Sequence, residues 1–275
     1  MLQLSMKNSL AQVKKKVLIT GAGTGIGKDT AVALALKGHD VIATTETQEQ
    51  AVVLREEFSK SNLSIEVWKL DVTLEEDREK VYQYDLDVLI NNAAIGESGS
   101  LAEVPLQRVR NAFEVNLFSP LALTQIVLKK MMKKDSGTIL FVSSLAGRLP
   151  MQFLNPYSMT KHALSSGVAA LRQEIYQVTK KVHISLIEPG TYKTGFNQRM
   201  LAKKYEWMNV ESYFYSLIPT LKKEENKRFN TLEQKSTASI VKEIIYAVDA
   251  KKPRLRYVAP RIQGWAVAFM RAIGK

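Results

Sequence analysis

The sequence contains no cysteine. That excludes a disulfide framework, a thiolate zinc site and a cysteine nucleophile together, and leaves oxidising and reducing compartments equally open. No run approaches the roughly 18 consecutive apolar residues needed to span a bilayer. The stretch Met1 to Lys16 lacks a continuous apolar segment, because Gln3, Ser5, Lys7, Asn8, Ser9 and Gln12 interrupt it. No secretory signal is read there, and a cytoplasmic address is expected. Internal repeats, low-complexity tracts and Pro/Gly linkers are also missing, so one domain over residues 1–275 is expected. Acidic residues are few: 27 against 39 basic ones, for a net charge of +12. An excess of this sign raises nucleic acid or an anionic membrane as partners. No recognition motif or interleaved stacking array accompanies it, and no nucleic-acid partner is expected. Part of the excess is local, since from Lys251 onward there are seven basic residues (Lys251, Lys252, Arg254, Arg256, Arg261, Arg271, Lys275) and no acidic one.

What the chain does have is alternation. Short apolar runs at Val17 to Thr20, Asp40 to Thr44, Ile65 to Leu70, Val88 to Ile90, Thr138 to Ser143 and His183 to Ile187 read as strands. Between them, Lys28 to Lys37, Gln48 to Ser59, Glu75 to Tyr82, two stretches within Leu106 to Lys133, and Tyr157 to Thr179 read as helices. Strands alternating with helices predict an α/β fold: a Rossmann-like, doubly wound parallel sheet covered on both faces. Ligands in such sheets bind beyond the carboxyl ends of the strands.

The first strand runs into Thr20-Gly21-Ala22-Gly23-Thr24-Gly25-Ile26-Gly27, which opens an apolar helix. Glycines at that place permit positive φ and let backbone N–H groups approach a pyrophosphate at a helix N-terminus. A flexible loop is the bland alternative; the position between strand and helix favours dinucleotide binding. The spacing Thr-Gly-x-x-x-Gly-x-Gly differs from the standard Rossmann fingerprint and resembles that of the short-chain dehydrogenase/reductase family.

Carbonyl chemistry needs a proton donor at the substrate oxygen, a group that tunes its pKa, and a second donor for developing charge. Tyr157 and Lys161, four residues apart, share one helical face, and an ammonium there is expected to lower the phenol pKa. Tyr176 and Lys180 have the same spacing. Only Tyr157 follows the end of the Thr138 to Ser143 strand at thirteen residues from Ser144, so the second pair reads as a surface pair. In Phe141-Val142-Ser143-Ser144, family spacing favours Ser144 over Ser143 as the carbonyl-orienting hydroxyl.

Further motifs extend the resemblance over about Lys14 to Phe196. Asn91-Asn92-Ala93-Ala94 is similar to the family's Asn-Asn-Ala-Gly, with Ala94 in place of glycine, and implies that Asn92 and Ala93 border the cofactor. Asn116 matches the asparagine that completes a tetrad with Ser144, Tyr157 and Lys161, where it holds a water against the lysine. Pro189-Gly190-x-x-x-Thr194 implies nicotinamide contacts, with Thr194 at the carboxamide. Asp71, followed by Val72, corresponds to an aspartate that meets the adenine; alternatively it caps the Glu75 to Tyr82 helix. The resemblance implies an oxidoreductase that moves a hydride between a nicotinamide dinucleotide and a carbonyl or alcohol, commonly as a homodimer or homotetramer. A catalytically silent dinucleotide-binding sensor or scaffold is the alternative, and the complete tetrad argues against it.

At the end of the second strand, where NAD enzymes usually carry a carboxylate for the ribose, the chain has Thr45. This favours NADP over NAD. Glu46 argues the other way, and no arginine stands next to the glycines to clamp a 2′-phosphate, although Lys28 is close in sequence. Residues 195–235, with Met200, Tyr205, Trp207, Met208, Tyr213, Phe214 and Tyr215, read as an apolar substrate lid or as ordinary helix packing. A hydrophobic, lipid-, steroid- or retinoid-like substrate is expected. Residues 251–275 read as a basic amphipathic tail, with Trp265, Ala268, Phe269 and Ile273 near one face. Such a tail suits an anionic membrane surface, the substrate pocket or a sister subunit.

Overall fold

The computed structural model describes residues 13–274. The readings made for Met1 to Gln12 and for Lys275 lie outside them. Seven strands form one sheet: β1 (Lys16–Ile19), β2 (Asp40–Thr45), β3 (Ile65–Lys69), β4 (Val88–Asn91), β5 (Gly137–Val142), β6 (Val182–Pro189) and β7 (Arg256–Ala259). Their order is β3-β2-β1-β4-β5-β6-β7, and every pairing is parallel. The order reverses between β1 and β4, which pair through Val17 and Val88. A crevice opens at such a switch point because the following connections leave toward opposite faces.

Consecutive residues of a strand point to opposite faces, so the short apolar runs feed two cores. Val17 and Ile19 of β1 join Leu34 of α1 (Gly25–Leu36), Phe58 of α2 (Gln48–Lys60) and Ile244 of α9 (Ala238–Asp249) on one face. Leu18 between them joins Leu123 of α5 (Ser119–Lys133) and Leu164 of α6 (Asn155–Val178) on the other. Between β3 and β4 the chain makes only α3 (Glu75–Glu79) and a 3-10 turn (Lys80–Gln83). The single helix expected over Glu75 to Tyr82 is therefore two short pieces. The two stretches expected within Leu106 to Lys133 are one continuous helical run, in which a π-helical segment (Glu114–Phe118) joins α4 (Leu106–Phe113) to α5.

The C-terminal stretch is a correction. Within the described residues 251–274 the stretch is not a separate tail, because Arg256–Ala259 is inserted into the sheet as β7, beside β6. Tyr257 and Ala259 are buried there. Only α10 (Arg261–Ala272), which begins after a cis Ala259–Pro260 bond, has the amphipathic character expected of the whole stretch. The segment after β6 forms α7 (Phe196–Lys204) and α8 (Ile218–Leu232).

Candidate active site

A cavity of about 1420 Å³ lies over the carboxyl ends of the strands. Its floor at one end is the turn after β1. Gly21 and Gly25 have φ of +63° and +57°, a region that side chains rarely adopt. A Cβ on Gly27 would sit 2.5 Å from Asn92 Nδ2 and 2.6 Å from the Gly21 carbonyl oxygen. The same Asn92 amide donates to the Thr20 and Gly21 carbonyls at 2.9 Å each, while the Thr20 hydroxyl accepts from the Asn92 and Ala93 N–H groups at 3.0 Å. These bonds clamp the glycine turn to the end of β4. At the start of α1, Thr24 makes no side-chain cap and the first turn carries no acid. The N–H groups of Gly25, Ile26 and Gly27 thus face the cavity with the positive end of the helix dipole, an arrangement suited to pyrophosphate.

Further along the wall stand Ser144, Tyr157 and Lys161, all lining the cavity. Ser144 ends the β5 connection; its hydroxyl accepts from Ala146 N–H at 3.1 Å and donates to the Pro189 carbonyl at 3.4 Å. Ser143 is tied elsewhere, to the Lys161 carbonyl and the Ser165 hydroxyl, which leaves Ser144 as the serine available to a ligand. Helix α6 starts at Asn155 with proline in its first turn and brings Tyr157 and Lys161 inward together. The Lys161 ammonium lies 5.7 Å from the Tyr157 ring centroid and donates to the Val142 carbonyl at 2.9 Å. Gly147 packs against the Lys161 backbone, where a Cβ would lie 2.6 Å from its carbonyl oxygen.

The electrostatics differ from the sequence expectation. Burial pushes the Tyr157 phenol up to about 12, opposed only by the Ser144 hydroxyl, and pulls Lys161 down to about 7. Desolvation disfavours the charged form of each group. The expected lowering of the Tyr157 pKa by its lysine is therefore absent from the protein by itself.

A short-chain dehydrogenase model matches residues 15–205. The chain belongs to the short-chain dehydrogenase family. It is 37% identical over 192 residues to the uncharacterized oxidoreductase YusZ of Bacillus subtilis, covering 66% of each chain. It is 29% identical over 261 residues to human retinol dehydrogenase 8, covering 90% of this chain and 82% of that one. A short-chain dehydrogenase structure from Streptomyces avermitilis superposes with a TM-score of 0.75 at 25% identity, covering 95% of this chain and 94% of that one.

Other residues of this short-chain dehydrogenase fall in varied places. Gly23, Thr24, Ile26, Thr45, Asp71, Val72, Asn92, Ala93, Pro189, Gly190 and Thr194 all line the cavity. Thr194 packs on Gly25, whose added Cβ would meet Thr194 Cβ at 3.1 Å. Asp71 does not cap α3, which starts after Leu74; its carboxylate accepts from the Thr73 N–H and hydroxyl at 2.9 and 2.7 Å. Asn116 sits in the π segment with its side chain buried away from the cavity lining. Its amide oxygen accepts from Ile95 N–H, and its nitrogen donates to the Ile95 carbonyl and the Thr160 hydroxyl. Tyr176 stays far down α6, where it meets His183 at 3.1 Å, and Lys180 lies past the helix end.

Two supporting residues escaped the motif reading. Glu188 is fully buried between Arg148 and Arg256, and so ties the Ser144 loop to β6 and β7. A carboxylate inside the apolar run Val182–Pro189 was the available signal. Gln263 of α10 accepts from Thr191 N–H at 2.9 Å and donates to the Leu232 carbonyl at 2.8 Å, joining the Pro189-Gly190 loop to the end of α8. No local signal marks it.

Proposed function

We propose that this chain is an enzyme that moves a hydride between NAD and an apolar ketone or secondary alcohol, acting near neutral pH as a reductase. The observation that carries this reading is the meeting of Ser144, Tyr157 and Lys161 on one cavity wall beside the glycine turn. The matched stretch spans 66% of the first relative's length, so the activity is argued from the site's own residues. Nicotinamide, when bound, supplies or accepts the hydride. The residues that would hold its dinucleotide are those of the turn from Thr20 to Gly27, with Asp71 and Val72 toward the adenine and Pro189, Gly190 and Thr194 toward the carboxamide.

Tyr157 then gives its hydroxyl proton to the carbonyl oxygen as the carbonyl carbon takes the hydride, leaving an alcohol and a phenolate. Ser144 donates to the same oxygen, and the Lys161 ammonium offsets the phenolate charge. Burial keeps the phenol protonated at neutral pH, the form that gives a proton to the carbonyl oxygen. Asn116 acts at one remove, fixing the loop at Ile95 after β4 and the Thr160 hydroxyl beside Lys161.

The surroundings of Thr45 support NAD, where its hydroxyl alone favours NADP. Glu46, Glu49 and Glu57 line that end of the cavity, and Lys28 is ion-paired with Glu57 at 2.8 Å. A 2′-phosphate meets like charge there, while a ribose diol finds acceptors. The apolar substrate reading is supported by Leu149, Met151, Phe196, Met200, Val267 and Met270 on the lining and by the similarity to a retinol dehydrogenase. The test is a panel of aliphatic and steroid ketones and polar sugars assayed with NADH and NADPH. Turnover of the ketones with NADH is expected; turnover confined to sugars refutes the substrate reading, and a preference for NADPH refutes the cofactor reading.

A further inference from the structure

Helix α10 has two working sides. Inward, Gln263, Ala266, Val267 and Met270 face the cavity, with Gln263 holding the Thr191 loop and the end of α8. Outward, Ile262, Trp265, Phe269 and Ile273 follow one another at spacings of three, four and four, which keeps them on one face. Their exposures are 71%, 72%, 66% and 55%. Scattered apolar residues on a surface are ordinary, but four large ones in line on a single helix are not.

The charge of the C-terminal stretch points to its occupant. Arg261, one helical turn before Trp265, shares the single carboxylate of Glu243 with Arg254. Lys251, Lys252 and Arg271 are exposed and make no ion pair among the described residues, and residues 251–274 include no acidic side chain. An amphipathic helix with aromatic residues on one side, carried by a stretch with surplus cations, matches the interface of an anionic bilayer, apolar face down and cations toward the phosphates. A second copy of the chain would bring the same cations against one another.

We propose that α10 docks this protein on an anionic membrane surface, with Ile262, Trp265, Phe269 and Ile273 in the acyl boundary and the neighbouring lysines and arginines at the headgroups. Because the adjoining side of the same helix is cavity wall, docking brings the cavity to the bilayer surface. On the function proposed above, an apolar ketone then enters from the lipid phase. The docking itself does not depend on that reading.

Flotation of the full chain with vesicles tests it. Vesicles of phosphatidylcholine with phosphatidylglycerol are expected to carry the protein upward, and vesicles of phosphatidylcholine alone are not. Raised salt weakens the association. Trp265→Ser/Phe269→Ser, whose side chains touch neither substrate nor cofactor, lowers partitioning roughly ten- to a hundredfold while leaving turnover of a water-soluble ketone unchanged. Lys251→Glu/Lys252→Glu, on an exposed turn, weakens flotation without altering the helix and covers the case in which the aromatic variant folds poorly. Absence of flotation on the anionic vesicles overturns the proposal, as does flotation indifferent to phosphatidylglycerol and salt. An aromatic variant that becomes monomeric where the wild type is oligomeric also overturns it, by assigning the face to a second copy. Failure of the ketone panel with flotation intact removes only the substrate reading.

Discussion

The wall that carries Ser144, Tyr157 and Lys161 is made of strand ends and the long helix α6, with close backbone approaches: Gly147 against the Lys161 backbone, and Gly27 against the Gly21 carbonyl and the Asn92 side-chain amide. The facing wall is made of the short helices α7, α8 and α10, held by side chains. Lys204 and Tyr205 of α7 meet Glu225 of α8, Asn197 meets Glu233, and Gln263 meets Leu232. Phe196 at the start of α7 lies 5.6 Å from the Tyr157 ring, so the two walls touch over the reacting group. The first is fixed to tenths of an ångström by sterics, and the second is adjustable because side-chain contacts at a half-exposed surface tolerate exchange. Chemistry thus belongs to the rigid side and selectivity to the adjustable one.

This contrast breaks most visibly if the rigid side is altered without consequence. Tyr157→Phe removes one hydroxyl and is expected to lower kcat by roughly 10²–10⁴-fold, with thermal unfolding little changed; steady-state kinetics and a melting curve read both. Glu188→Ala leaves Arg148 and Arg256 without their shared carboxylate, and a loss of about 3–5 kcal/mol of folding stability is expected from denaturant titration. A variant as stable as the wild type would show that the triad is not what holds the Ser144 loop to β6. Glu46→Arg, at the ribose end, should move the NADPH to NADH ratio of kcat/KM upward by roughly ten- to a hundredfold.

Lys161 sharpens the comparison through pH. Its folded pKa of about 7 lies below the unfolded value of roughly 10.4, so the unfolded chain binds the extra proton between them. Folding stability therefore rises with pH through that window. Lys161→Met removes this contribution, and the wild type should gain on it as pH climbs from about 7 toward 10, as measured by chemical denaturation. A constant gap between the two would show that the lysine is not desolvated. The smallest effect falls on the adjustable wall. Leu221→Ala on α8 is expected to raise KM for a bulky apolar ketone by roughly tenfold or less, with kcat on a small ketone unchanged.

Much of the rigid wall was legible in the chain itself, because its signals are local. Gly21 and Gly25 announce positive φ, the run after Lys16 announces a strand, and Tyr157 with Lys161 announces a shared helical face. The adjustable wall was less so: residues 195–235 read equally as a lid or as ordinary helix packing, and β7, which leads into α10, is recognisable as a strand only beside β6. Thr45 taken alone pointed to NADP; its surroundings include Glu49 and Glu57 on α2, which sequence order does not place near it.

The sequence by itself determined the parallel α/β sheet, the glycine turn and the serine, tyrosine and lysine of the wall, because periodicity and spacing act within a few residues. Only the tertiary structure decided which way the phenol and ammonium titrate, how Glu188 joins two arginines, and that Gln263 of α10 holds a loop more than seventy residues away. Those are properties of burial and of long-range contact, and both exist only after the chain has closed on itself.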